Sequence, residues 1–150
     1  MAESTFNALV IDEFRSQGGR VSGPLAGTPL ILVHHVGARS GTERVVPLAY
    51  LNWSDGQFLI IASDGGSPRH PAWYHNLKAH PEITVEVGTE TFSAVAEELD
   101  PAARTAAWEA IVAQAPAAGE FQARTNRTIP VFILTPTDDR FRRDQCATCL

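Results

Sequence analysis

Two alternating runs, back to back, constrain this chain most. Ile83-Thr84-Val85-Glu86-Val87 alternates apolar and polar residues, Gly88-Thr89 turns the chain, and Glu90 to Glu98 alternates again. Alternate residues of a strand face opposite sides of a sheet, so the pattern predicts paired strands with one buried and one exposed face. The rest of the chain supplies more strands. Pro29 to Val36, with Leu30 to Val33 continuously apolar, reads as a strand buried on both faces. Arg44 to Trp53 reads as a second, bent at Pro47, and Gln57 to Ala62 as a third, with Ser54-Asp55-Gly56 as the hairpin turn between them. Thr128 to Thr135 is the last strand. About six strands with short connections predict an α+β fold: a small antiparallel barrel with helices packed outside it.

Three helices are expected. Thr5 to Ser16 is amphipathic, with Phe6, Leu9, Val10 and Phe14 on one side, Ser4 as N-cap and Gly18-Gly19 as the stop. A short helix opens at Pro71, its first residue, and carries Trp73 and Leu77 on one face. Asp100 and Pro101 open a third, from Ala102 to Ala115, bearing Trp108 and Ile111. Residues 1–137 form one domain, and the charged tail from Asp138 is expected to fray.

Charge and cysteine content narrow the function. A net charge of −5 argues against general nucleic-acid binding, which needs a basic surface. The two cysteines, Cys146 and Cys149, stand in the tail, so no disulfide framework supports the body of the fold. The N-terminus lacks a basic segment followed by an apolar core, and Leu30 to Val33 is far too short to cross a bilayer. The expected compartment is the cytoplasm, free or peripheral to the membrane, without stable membrane insertion. His34 and His35 face opposite ways in a strand, and His70, His75 and His80 are spaced by five, so no metal site is expected.

Two stretches look chemical. Ser63-Asp64-Gly65-Gly66-Ser67-Pro68-Arg69-His70-Pro71-Ala72-Trp73-Tyr74-His75-Asn76 runs from a strand into a helix N-terminus, a place that suits an anion or a polar ring edge. The same residues also fit a surface loop followed by a core-packing helix. Gly37-Ala38-Arg39-Ser40-Gly41-Thr42-Glu43-Arg44 places two glycines around Arg39 and Ser40, so backbone N–H groups and two guanidinium groups can meet one anion. An exposed hairpin is the alternative reading.

These two stretches, with Pro47-Leu48, Leu77-Lys78-Ala79-His80-Pro81 and Phe121-Gln122-Ala123-Arg124-Thr125-Asn126-Arg127-Thr128-Ile129-Pro130-Val131, occur in an order that resembles the deazaflavin-dependent nitroreductase family of split β-barrel oxidoreductases. The resemblance runs from the first helix to about Pro136. It implies a reductase that takes a hydride from reduced coenzyme F420 and passes it to a small apolar acceptor: a quinone, an enone or a nitro-aromatic. A flavin-mononucleotide enzyme on the same fold and a non-catalytic deazaflavin carrier are the rival readings, and a homodimer is possible.

By the same resemblance, Arg39, Ser40, Arg44, Val45, Val46, Pro47 and Leu48 hold the phosphate and acidic tail. Ile61, Ala62, Ser63, Asp64, Gly65, Gly66, Ala72, Trp73, Tyr74, His75 and Asn76 line the ring. Arg39 and Asp64 stand where lysine is frequent, and Arg69 is a local partner for Asp64. Ala115 to Phe121 lacks the tyrosines that shape the acceptor pocket in some relatives, leaving Phe121 to cover an apolar acceptor. Ser63 and Tyr74 are candidate proton donors.

Overall fold

The computed structural model describes residues 5–22, 29–53, 56–63 and 68–137. The elements run α1 (Thr5–Ser16), β1 (Leu30–Val36), β2 (Glu43–Ala49), β3 (Leu51–Asn52), β4 (Phe58–Ile61), α2 (Ala72–Ala79), β5 (Glu82–Val87), β6 (Glu90–Glu98), α3 (Pro101–Gln114), α4 (Ala117–Ala123) and β7 (Val131–Pro136). The strands form one sheet of seven in the order β2-β1-β5-β6-β7-β4-β3. Every pairing is antiparallel.

The two edges of this sheet belong to one short run of chain. β2 pairs with β1 from Val36↔Glu43 to Leu30↔Ala49, and β3 pairs with β4 through Leu51↔Leu59 and Asn52↔Phe58. Only Tyr50 separates β2 from β3. The sheet must therefore curl until its edges approach, which makes it a split barrel. The strand expected over Arg44–Trp53 divides at Tyr50, which raises the count from about six to seven. Pro47 stays in the ladder opposite Leu32, so pairing with β1 runs unbroken past it. β2 is an edge strand, where a missing N–H can face away from the partner.

Alternation then sorts the side chains. Ile31, Val33, Phe58, Ile60, Val85, Phe92, Phe132 and Leu134 fill the barrel, and α2 closes it with Trp73 and Leu77. The opposite faces are also covered. α1 lays Val10, Ile11 and Phe14 on Leu30 and Leu32, while Ala107, Ile111 and Ala118 of α3 and α4 pack on Leu59 and Val131. β1, β4 and β7 are thus sandwiched, which explains their nearly unbroken apolar sequences.

Several local expectations need correction. Leu9 is 64% exposed, and Ile11 takes its place on the buried face of α1. The side chain of Phe6 and the N-cap candidate Ser4 lie outside the described residues, as do Ser54, Asp55, Cys146, Cys149 and the tail from Asp138. Pro71 is the N-cap of α2, one position before its first residue, with an extended ψ of 156°. Asp100 caps α3 by accepting the N–H of Ala103 at 2.8 Å, and Pro101 is its first residue. The segment after α3 forms the helix α4, and β7 starts at Val131, not Thr128.

Candidate active site

The Gly37–Arg44 loop is tied to α2 by one buried side chain. Asn76, 7% exposed, accepts the N–H of Ala38 through Oδ1 at 2.9 Å and places Nδ2 2.9 Å from His35 Nδ1. Because Oδ1 is the acceptor, Nδ2 must donate, so His35 is neutral at Nδ1 and carries its proton on Nε2. The loop also satisfies itself. Gly37 N–H donates to the Thr42 carbonyl, Gly41 N–H to the Gly37 carbonyl, and Thr42 N–H to Ser40 Oγ. The amides of Gly37, Ala38, Gly41 and Thr42 are thus used inside the protein. What the loop offers an anion is the side chains of Arg39, which is exposed, and Arg44, which is half-buried.

β2 divides the expected tail-binding residues by face. Val46 and Leu48 pack toward the barrel interior beside Tyr50, and alternation puts Arg44 on that side. Val45 packs with α1 on the other side, and Pro47 follows it by parity. A ligand on the inner side of β2 meets the side chains of Arg44, Val46 and Leu48 and only the backbone of Val45 and Pro47.

The exit of β4 meets the segment before β7 in a second polar knot. The Arg127 guanidinium donates to the carbonyls of Ala62 at 3.0 Å and Ser63 at 2.9 Å, and its Nη1 lies 3.0 Å from His70 Nδ1. Arginine accepts nothing, so His70 Nδ1 is the acceptor and its proton sits on Nε2. Burial, followed by the charges of Arg127 and His75, holds the His70 pKa below its ordinary value against the opposing pull of Glu98. Ile61 faces outward with the α3 cluster, Ala62 is buried inward and Ser63 is half-buried. Asp64, Gly65 and Gly66, and with them the suggested Asp64–Arg69 pair, lie outside the described residues.

Helix α2 presents less of itself than its sequence suggests. Trp73 is buried against Phe132 with ring centroids 5.9 Å apart, so it supports the site from within the core. Tyr74 stacks on His70 at 4.1 Å, and its hydroxyl donates to Glu98 at 3.0 Å, where Lys78 also donates. Burial first, then this bond to Glu98, raises the Tyr74 pKa. Ala72 and His75 are exposed on the helix surface. Phe121 sits half-buried on α4, with the Arg124 guanidinium 5.7 Å from its ring centre.

Sequence reading missed His35, His70 and Arg127 as parts of this assembly. Arg127 stood inside a recognised motif, yet nothing in local spacing says that it reaches the carbonyl of Ala62, 65 positions away. A surface hollow of about 470 Å³ lies elsewhere, on the outer side of β1, β5 and β6, lined by His34, Glu43, Glu82, Thr84, Ser93 and Val95 among others. Its charged rim groups, Glu43 and Glu82, are acidic, which suits an anionic coenzyme poorly. The motif segments remain the better site.

A split barrel with an arginine-bearing loop, an apolar inner strand and polar backbone at the exit of β4 is the scaffold of a cofactor-binding oxidoreductase. The chain belongs to the F420H(2)-dependent quinone reductase family, whose model matches residues 8–136. It is 37% identical over 126 residues to an F420H(2)-dependent quinone reductase of Mycobacterium tuberculosis, covering 81% of this chain and 84% of that one. Among solved structures, an F420-H2 dependent reductase superposes with a TM-score of 0.64 at 39% identity, covering 71% of this chain and 93% of the other. A second, described as a domain-swapped dimer, gives 0.66 at 35% identity, covering 83% and 92%.

Proposed function

We propose that this protein transfers a hydride from reduced coenzyme F420 to a quinone or a related conjugated acceptor. The observation that carries the reading is the family match across residues 8–136, which spans all the segments that assemble the site. The donor set fits the coenzyme chemically. Arg39 and Arg44 suit its phosphate and acidic tail, since guanidinium forks match such oxygens. Val46 and Leu48 offer apolar surface to a flat ring, and the Ser63 N–H, turned away from Arg127, suits its polar edge. When bound, the reduced coenzyme supplies the hydride.

The protein's own tasks are to hold, orient and exclude. Asn76 fixes the arginine loop against α2 through Ala38. Trp73 and Phe132 stiffen the floor beneath α2. The reduced acceptor gains negative charge and needs a donor close by. Ser63 is the better candidate, because the Tyr74 proton is already committed to Glu98. Phe121 keeps its proposed role of covering an apolar acceptor, from a half-buried position on α4.

Steady-state oxidation of reduced coenzyme F420 against a panel of a quinone, an enone and a nitro-aromatic tests the proposal. Turnover is expected, with the quinone preferred. Tight binding with no turnover on any acceptor would instead mark a carrier. The relative solved as a domain-swapped dimer supports a homodimer as the assembly in solution, which light scattering after gel filtration would test.

A further inference from the structure

We propose that Arg127 is a positioning residue for the coenzyme's ring: it joins the β4 exit at Ala62 and Ser63 to His70, directs the Ser63 amide N–H into the site, and fixes His70 as a neutral Nε2–H donor. This rests on the function proposed above.

The geometry carries the argument. One guanidinium reaches three acceptors, the carbonyls of Ala62 and Ser63 on one side and His70 Nδ1 on the other. A planar trans peptide points its carbonyl and the following N–H in opposite directions. No cis peptide is present among the described residues. With the Ala62 carbonyl turned onto Arg127, the Ser63 N–H faces away from the guanidinium. A ring edge that carries carbonyl oxygens needs a donor of this kind.

A purely structural role explains this arrangement poorly. The segment that carries Arg127 is already held from behind by other groups. Gln122 donates to the Arg127 carbonyl at 2.7 Å and accepts the Ile129 N–H at 3.0 Å, and Arg104 donates to the Ile129 carbonyl at 2.8 Å. These bonds use the backbone around Arg127, while its side chain acts on Ala62, Ser63 and His70. His70 in turn stacks on Tyr74, which bonds to Glu98, so the clamp extends into α2 and the end of β6. Among the described residues, the charged and titratable groups that act on His70 include Arg127, His75, Glu98 and Tyr74.

The test compares wild type with Arg127→Met and Arg127→Lys. Three quantities are measured: calorimetric affinity for coenzyme F420 at two salt concentrations, the nitrogen-15 NMR signature of the His70 tautomer, and the thermal midpoint. Arg127→Met should bind the coenzyme about tenfold more weakly, with a salt dependence equal to wild type, because the clamp acts on the ring and not on the charged tail. His70 should lose its pure Nε2–H signature. Arg127→Lys should recover part of the affinity, since it keeps the charge but cannot span three acceptors. Wild-type affinity and an unchanged His70 signature in a folded Arg127→Met would overturn the proposal. If Arg127→Met is unfolded, the same two readouts on Arg127→Lys decide. A wild type that does not bind the coenzyme at all overturns the functional reading itself, a result distinct from intact binding in the variants.

Discussion

Ser63 and Tyr74 compete for one role, and their surroundings separate them. The Tyr74 hydroxyl donates to Glu98, and its ring stacks on His70 and meets Phe132 edge-to-face. It braces α2 against β6. Replacing it with Phe should cost about 1–2 kcal/mol of stability, the scale of a half-exposed bond to a charged group, while leaving kcat nearly unchanged. Ser63 stands at the β4 exit, where its carbonyl is held by Arg127. Ser63→Ala should lower kcat by roughly 100-fold, the lower end of what a positioned proton donor contributes, with little change in melting temperature. Equal turnover in Ser63→Ala and wild type would assign the proton to water. A collapse of turnover in a well-folded Tyr74→Phe would return the role to tyrosine.

Among the elements, α1 shows how a helix end can be fixed by a single residue. Gly19 has a φ of +94°, and its N–H closes the helix on the Phe14 carbonyl at 2.8 Å. A Cβ there would lie 2.6 Å from the Gly88 Cα in the β5–β6 turn. Gly19→Ala should therefore destabilise the protein by more than about 1 kcal/mol, since it combines an unfavourable φ with a backbone collision. Chemical denaturation checks this, and an unchanged midpoint would show that α1 is only loosely docked. The sequence announced the stop but not the contact. The same division holds elsewhere. β6 was legible over its full length because Thr91 to Ala94 alternates and Gly88-Thr89 marks its start, and β1 because of its apolar run. α4 was not, because Pro116 and Gly119 read as loop signals while Ala118 packs on the outer cluster. The last strand starts late because the Ile129 backbone is committed to Gln122 and Arg104 and the Pro130 carbonyl to the Ala62 N–H. The candidate site segments were legible from motif order, but the knots at Asn76 and Arg127 join residues 38 and up to 65 positions apart, which local patterns do not encode.

At the scale of the molecule, a split barrel whose two edges share one run of chain must hold its outer layers in place by other means. α1 is fastened to the sheet by Arg15, which grips Glu86 at 3.2 and 2.7 Å, while His34 reaches the same carboxylate at 2.7 Å. The Arg15 bond, aided by His34 and opposed by burial, holds the Glu86 pKa below its ordinary value. A carboxylate with a depressed folded pKa stabilises above its unfolded pKa of about 4.3 and loses that contribution as pH falls through the folded value. Stability should therefore drop on the acid side below about pH 4.3, and Glu86→Gln should flatten that drop. An identical acid limb in the variant would place the titrating groups elsewhere.

Coenzyme choice underlies every role assigned above, and a paired calorimetric titration tests it most directly. Wild type, Arg39→Ala and Arg44→Ala are each titrated with coenzyme F420 and with flavin mononucleotide, at low and high salt. Wild type should bind coenzyme F420 more tightly than flavin mononucleotide, with binding weakened by salt and reduced by about 1–3 kcal/mol in each variant. Tighter binding of flavin mononucleotide, or coenzyme affinity indifferent to both arginines and to salt, would contradict this.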